Sequence, residues 1–501
     1  MFKFIKKHKF AILLWFMVIS YIVYFSIFTI LRSQNLYAHY FDLGIMHQTV
    51  YNTYEAIKTG DYSRFLEMTN PHGIEQVKRM SIHNDLMLAI IAPLYFIYSG
   101  PEMLLVLQSI ILGLGAFAIY GIVQELFFKN KWKQFLGLVF AFSYLMYTPM
   151  QRANIFEFHA VTFATTFLLF MFYFWLKKNN RMSILFLCLS LLTKEQVGLT
   201  TVFFGGYILF LELKNNKFQL NKLKIDYLPF FIIGISSIWF FISMFIIVPY
   251  FRGSSHFALN YYSDLGESPS KIIVQLVQNP ANLSKYIFHI DTLRYFFFLL
   301  GPLGFFSFLS PLLLLISLPE FAINLLSNSW NMRNIVFHYT SVIQPFVFIS
   351  SIYGVKIVLD HLSKYKKSKS SIIIIFGLFF TTLLFSYFKS PLPYSREADL
   401  HPLIRPGEAK QETIIWSERF KNPELRISTT GSLAPYFTSR RYYYHFPSGY
   451  DRADYVIIQK KELYNYFDPK VDIMGVYKRL QKDATFQMIY QSKLIEVYKK
   501  I

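Results

Sequence analysis

Five short stretches of this chain set ionisable side chains against apolar runs. "YFDLG" carries a lone acid, Asp42. "KRMSIHNDL" carries Lys78, Arg79, His83 and Asp85, and "QRANIFEFHA" carries Arg152, Glu157 and His159. "LLTKEQVG" carries Lys194 and Glu195, and "NSWNMRNIVFHYT" carries Arg333 and His338. Ionisable residues near hydrocarbon are costly and tend to be functional. Asp42 either caps a surface helix or serves chemistry, and it can do both. Imidazole and carboxylate are both metal ligands, so His83 and Asp85 either help to hold a divalent cation or form a surface turn. Glu157 and His159 stand two residues apart and do not share a helix face, so a loop must aim them. Lys194 and Glu195 form a tight polar turn between two long apolar runs. Arg79 is either solvated or meets a phosphate, and His338, before Tyr339 at a helix start, reads as an interfacial residue rather than a catalytic one.

The elements that must position these groups are membrane helices. Of 501 residues, 54% are hydrophobic and 16% charged, whereas soluble domains carry about a quarter charged residues. Several apolar runs reach or approach the roughly 20 residues a helix needs to cross a bilayer. The net charge of +20 falls largely in short lysine-rich loops, a topological signal, and no motif points to nucleic acid. The single cysteine, Cys188, lies in an apolar run and excludes an internal disulfide or a cysteine metal site.

"MFKFIKKHKF" precedes an apolar run at 11–31 without a signal-peptide cleavage site. Its lysines place the N-terminus in the cytoplasm of a multi-pass cell-membrane protein. Residues 32–85 then form the first outer loop, with an amphipathic helix at 42–58 lying along the membrane and stopped by Gly60. A short interfacial helix at 86–98 leads to a span at 101–128. Further spans are expected near 135–150, 160–176, 182–194, 197–213, 227–250, 295–308, 311–326, 338–357 and 371–388, eleven in all. Basic loops at Lys129–Lys133, Lys177–Arg181, Lys214–Lys224 and Lys364–Lys369 all fall inside. The five ionisable clusters then share the outer face.

From residue 390 the composition turns polar. "RISTT", "YYYHF" and "DYVIIQ" alternate like short strands, and "FQMIYQSKLIEVYKK" reads as a hairpin. Helices are expected around Leu433 and over 471–480. This predicts a small extracytoplasmic α/β domain at 390–501. There is no phosphate-binding glycine loop, zinc-protease helix or nucleophile elbow, which leaves ATP-driven transport and serine hydrolysis without support.

The order and spacing of the motifs resemble a family of predicted prokaryotic polytopic membrane proteins with a domain of unknown function. The resemblance rests on Asp42-Leu43-Gly44 followed by Gln48, His83 before "IAPLY", Phe158-His159 and Lys194-Glu195. Leu318-Pro319 with "NLLS", His338-Tyr339 and "SLAPYFTSRRYYYHFP" with "ADYV" complete it. That family is in turn similar in layout to the GT-C glycosyltransferases. The resemblance implies a GT-C-like, all-α membrane domain at 1–389 and sugar transfer from a polyprenyl-phosphate donor to a glycan, lipid or protein acceptor. It implies Asp42 as general base. Lys194, Arg79 or Arg333, or a divalent cation (Mg²⁺ or Mn²⁺), would meet the departing phosphate. Glu195, Glu157, His159, His338 and His83 would shape the pocket or bind metal. Two alternatives stay open: a transporter or flippase for a lipid-linked or polar substrate, using the same residues as a pathway, and a non-enzymatic envelope scaffold.

Overall fold

A computed structural model describes residues 2–215, 226–266, 268–363, 370–464 and 471–501. The basic residues Lys217, Lys222 and Lys224, and those from Lys364 to Lys369, lie outside them. Among the described residues, six helices are long and apolar enough to cross a membrane: His8–Gln34, Glu102–Leu126, Val197–Asn215, Tyr227–Arg252, Gln344–Ser363 and Ser371–Lys389. Helices are the expected form, because a chain in lipid must satisfy its own backbone groups. Shorter apolar helices cover Met87–Phe96, Thr162–Leu176, Asn180–Leu191 and Pro311–Leu325. Most of the eleven expected spans therefore match helices, but several are too short to cross alone. The one expected at 295–308 breaks into Ile290–Leu300 and 3₁₀ turns at Gly301–Leu303 and Phe306–Leu309. Pro302 and the glycines at 301 and 304 punctuate that run.

The first long helix shows how packing is assigned. Leu14, Val18, Tyr21, Phe25 and Phe28 are buried. Their three- and four-residue spacing makes one stripe, and it joins the bundle core with Leu112, Ala116 and Ile119. Trp15, Phe16, Ile19 and Val23, on the other side, are exposed.

The first loop differs from the surface-helix expectation. A π-helical turn, Tyr40–Gly44, runs into a helix, Ile45–Thr59, which ends at left-handed Gly60 as expected. The helix is buried on most sides, polar residues included. Its side chains are used inside the protein. Asn52 donates to the Glu67 carbonyl (3.0 Å), Thr53 accepts from Leu66 N–H (3.0 Å), and Gln48 donates to the Arg441 carbonyl (2.9 Å). His47 bridges Tyr95 and Ser439, at 2.8 Å each. The helix is held between the bundle and the C-terminal domain, beside a hairpin of β1 (Glu67–Thr69) and β2 (Gln76–Lys78).

The C-terminal sheet comprises β3 (Ile427–Thr429), β4 (Tyr443–His445), β5 (Tyr455–Gln459), β6 (Phe486–Gln491) and β7 (Ile495–Lys500), in the order β4-β3-β5-β7-β6. The first three are parallel, with Ser428 level with Tyr444 and Val456. β7 pairs antiparallel with both β5 and β6. The expected helices are a 3₁₀ segment, Gly431–Tyr436, and Ile473–Lys482. Leu36, Tyr40, Ile45 and Met68 of the first loop belong to the same core cluster as Ile427, Ile457 and Val497. The sheet thus completes its core with residues from before 390.

Candidate functional site

Asp42 sits in the π turn, and the turn is braced from both sides. From the bundle, the Glu157 carboxylate accepts the N–H groups of His39 (3.0 Å) and Leu43 (2.7 Å), one on each side of Asp42. Glu157 reaches there from a backbone at φ 155°, a region that non-glycine residues occupy only when the surroundings enforce it. Gln108, buried in Glu102–Leu126, supplies the enforcement. Its amide donates to the Glu157 carbonyl (2.9 Å), and its oxygen accepts from His159 N–H (2.9 Å). From the C-terminal side, Tyr40 stacks on His445 at 5.3 Å between ring centroids and packs on Tyr443 at 4.8 Å. A Cβ on Gly44 would meet Tyr40 at 2.9 Å and Ala434 at 3.4 Å. The loop after β3 that carries Ala434 borders a topological switch point. The chain leaves β3 for β4 on one side and returns to β5 on the other, which is where α/β sheets usually bind ligands. Here the crevice holds Ser432 on the Glu462 carboxylate and faces the Asp42 turn.

Asp42 Oδ1 lies 2.9 Å from His159 Nε2. The His159 ring is sandwiched between Phe156 and His338, with the two imidazole centroids 3.7 Å apart. Burial, and then the neighbouring His159, lower the pKa of His338. Burial, and then the Asp42 charge, raise that of Glu157.

A second group converges from three other loops. Glu195 Oε1 lies 2.8 Å from His83 Nδ1 and 3.2 Å from His256 Nε2, and Oε2 accepts Asn84 N–H at 2.9 Å. Among the described residues, His83, Glu195 and His256 could hold a metal ion. Asp85 is occupied otherwise: Arg79 engages both of its oxygens, at 2.9–3.1 Å, and both side chains are buried. Glu195 rather than Asp85 is therefore the carboxylate that stands beside His83. Burial, and then the Lys194 charge, lower His83 to about 3. Lys194 is buried, which lowers its own pKa, and no carboxylate among the described residues lies within ion-pair distance of it.

One cavity of about 920 Å³ is lined by Asp42, His159, His338, His83, Glu195, Asp85, Arg79 and Lys194. Residues up to some 300 positions apart in sequence are thus brought together. Glu157 stands behind the wall, and its carboxylate holds backbone rather than facing the cavity. Arg333 is not in the lining, although its neighbour Met332 is. Arg252 and His256 line the cavity, and Gln108 fastens it; none was singled out from the sequence. Gln108 is uncharged inside an apolar run. The polar stretch that holds His256, "RGSSHFALN", shows no periodicity. Leu199, Phe240, Met244, Ala322 and Ile323 supply an apolar wall.

A family model described as a predicted membrane protein (DUF2079) matches residues 32–491. The chain belongs to that family. Its structural neighbours are glycosyltransferases of the GT-C fold. The chain is similar to the crystal structure of ArnT from Cupriavidus metallidurans bound to undecaprenyl phosphate. The TM-score is 0.51 at 10% identity, over 99% of this chain and 98% of that one. The oligosaccharyltransferase of Archaeoglobus fulgidus, in a complex with zinc and sulfate, is similar at a TM-score of 0.44 and 12% identity, over 84% of this chain and 64% of that one. No curated protein matches by sequence.

Proposed function

We propose that this DUF2079 protein is a membrane glycosyltransferase that takes its sugar from a polyprenyl-phosphate donor, with Asp42 as general base. The carrying observation is one cavity that joins the braced Asp42 carboxylate to Lys194, a buried amine with no carboxylate within ion-pair distance among the described residues, along an apolar wall. A buried charge without a close partner is costly; Glu195, Glu320 and Asp85 offset part of that cost for Lys194, and an anionic ligand in the cavity would offset more. A lipid-linked phosphate fits both the cation and the apolar wall, and the ArnT structure carries such a lipid.

In this scheme the acceptor hydroxyl gives its proton to Asp42 as its oxygen attacks the anomeric carbon. The bond from that carbon to the phosphate oxygen breaks, and the electron pair leaves with the lipid phosphate. Lys194 and Arg252 stabilise the charge that develops there. Lys194 acts as a point charge, and Arg252 offers a planar fork. Arg79 neutralises Asp85 in the wall, and His159 with His338 fixes the carboxylate's direction. The cavity lies on the outer face, with the N-terminus cytoplasmic and the C-terminal domain outside. That domain acts as a clamp on the Asp42 turn.

Full-length protein reconstituted in liposomes with a polyprenyl-phosphate carrying a labelled sugar tests this. Label leaving the lipid for a water-soluble or lipid acceptor supports the assignment. Movement of the intact lipid between leaflets with no transfer would favour the flippase instead.

A further inference from the structure

We infer that His83, Glu195 and His256 form a binding site for a divalent transition-metal ion of the zinc class, in the wall of the same cavity. One donor atom from each of the three lies within 4.8 Å of the others. Three separate loops bring them there: His83 from before Met87–Ile91, Glu195 from before Val197–Asn215, and His256 from after Val248–Arg252. A tetrahedral ion about 2.0–2.1 Å from each donor sets neighbouring donors roughly 3.3 Å apart. The two pairs that share Glu195 Oε1 stand at 2.8 and 3.2 Å, within a few tenths of an ångström of that spacing, and the two imidazole donors lie within 4.8 Å of each other.

The surroundings are those of a held ligand set. Asn84 N–H fixes the other Glu195 oxygen (2.9 Å), and Asn84 Nδ2 is anchored on Ser243 Oγ (2.7 Å). Such outer partners orient metal ligands and set affinity. All three residues line the cavity, so the remaining coordination position opens into it, as in two-histidine, one-glutamate catalytic zinc sites. Two imidazoles select against Mg²⁺, which prefers an all-oxygen shell.

The proton balance closes without net release. Each imidazole now places its N–H toward Oε1. On metal binding, each ring moves that proton to its other nitrogen and stays neutral. For His256 the other nitrogen, Nδ1, accepts Ala258 N–H at 3.1 Å. Binding therefore frees the Ala258 amide, which is itself in the cavity wall.

Binding of Zn²⁺ alone to the purified full-length protein, without donor or acceptor, is the test. The ion's use in transfer rests on the function proposed above, but its binding does not. One Zn²⁺ per chain is expected, uncompeted by millimolar Mg²⁺. Affinity should fall more than about 10-fold in His83→Ala, His256→Ala and Glu195→Gln, and stay unchanged in Asp42→Asn. X-ray absorption of Zn²⁺-loaded wild-type protein counts the ligands without any variant, and two imidazoles are expected. Failure to retain Zn²⁺, equal retention by His83→Ala and His256→Ala, or an oxygen-only shell would overturn the site.

Discussion

Replacing Glu157 by Gln isolates the brace on the Asp42 turn from the chemistry. Both carboxylate oxygens accept backbone amides, Leu43 N–H at 2.7 Å and His39 N–H at 3.0 Å. A glutamine keeps one acceptor and turns its own NH₂ against the other amide. The loss is one hydrogen bond to a charged group, about 1.5–3 kcal/mol. At about 1.36 kcal/mol per tenfold, local opening of the turn rises roughly 10- to 150-fold. Hydrogen exchange followed by mass spectrometry on peptides covering His39 to Gly44 reads this directly and requires no substrate. Peptides from the buried helix Gln344–Ser363, remote from the turn, should not change. Unchanged exchange in the Asp42 turn would mean that only one amide is truly bound, and the bracing role of Glu157 would fall.

Gly44→Ala places a methyl group against Tyr40 and Ala434. It should cost about 1–3 kcal/mol by overpacking, seen as a lower unfolding midpoint, and no change in midpoint would contradict the close approach. Arg79→Met leaves the Asp85 carboxylate buried and unpaired and should cost about 3–5 kcal/mol. Arg79→Met with Asp85→Leu should recover most of it, and equal midpoints for the single and double variants would refute the pairing. Burial lowers His47 and His445 from 6.5 to about 3. Their folded pKa values lie below the unfolded ones, so the stability they lend is complete above about pH 6.5 and is lost as the pH falls toward 3. At pH 5 that loss is about 2 kcal/mol for each imidazole. The unfolding midpoint should drop between pH 7 and pH 5, and less steeply in His47→Gln with His445→Gln; a flat wild-type profile would refute it.

Much of this was legible in the residues because its signals are local. Apolar runs mark the spans, Gly60 marks a helix end, and alternation marks β3 to β7. That Asp42, His159, Lys194, Glu195 and His338 share one face was expected from the lysine-rich loops, and the structure brings all five to one cavity. What stayed hidden depends on which loops meet. Glu157 looks like a pocket acid until its partners, more than a hundred residues earlier, prove to be backbone amides. Asp85 looks like a ligand until Arg79, six residues away, takes both its oxygens. Gln108 passes unnoticed in an apolar helix, although it fastens both Glu157 and His159. The Ile45–Thr59 helix carries the polar residues of a surface helix, but the C-terminal domain covers them.

The most direct test of the central claim compares wild-type and Asp42→Asn protein in liposomes, both supplied with the same polyprenyl-phosphate sugar. Asparagine keeps the side chain's size and an oxygen for His159 Nε2, but it cannot accept the acceptor's proton. Transfer should fall by about 10²- to 10⁴-fold while polyprenyl phosphate still binds. Full transfer by Asp42→Asn would contradict the assignment of Asp42 as the base.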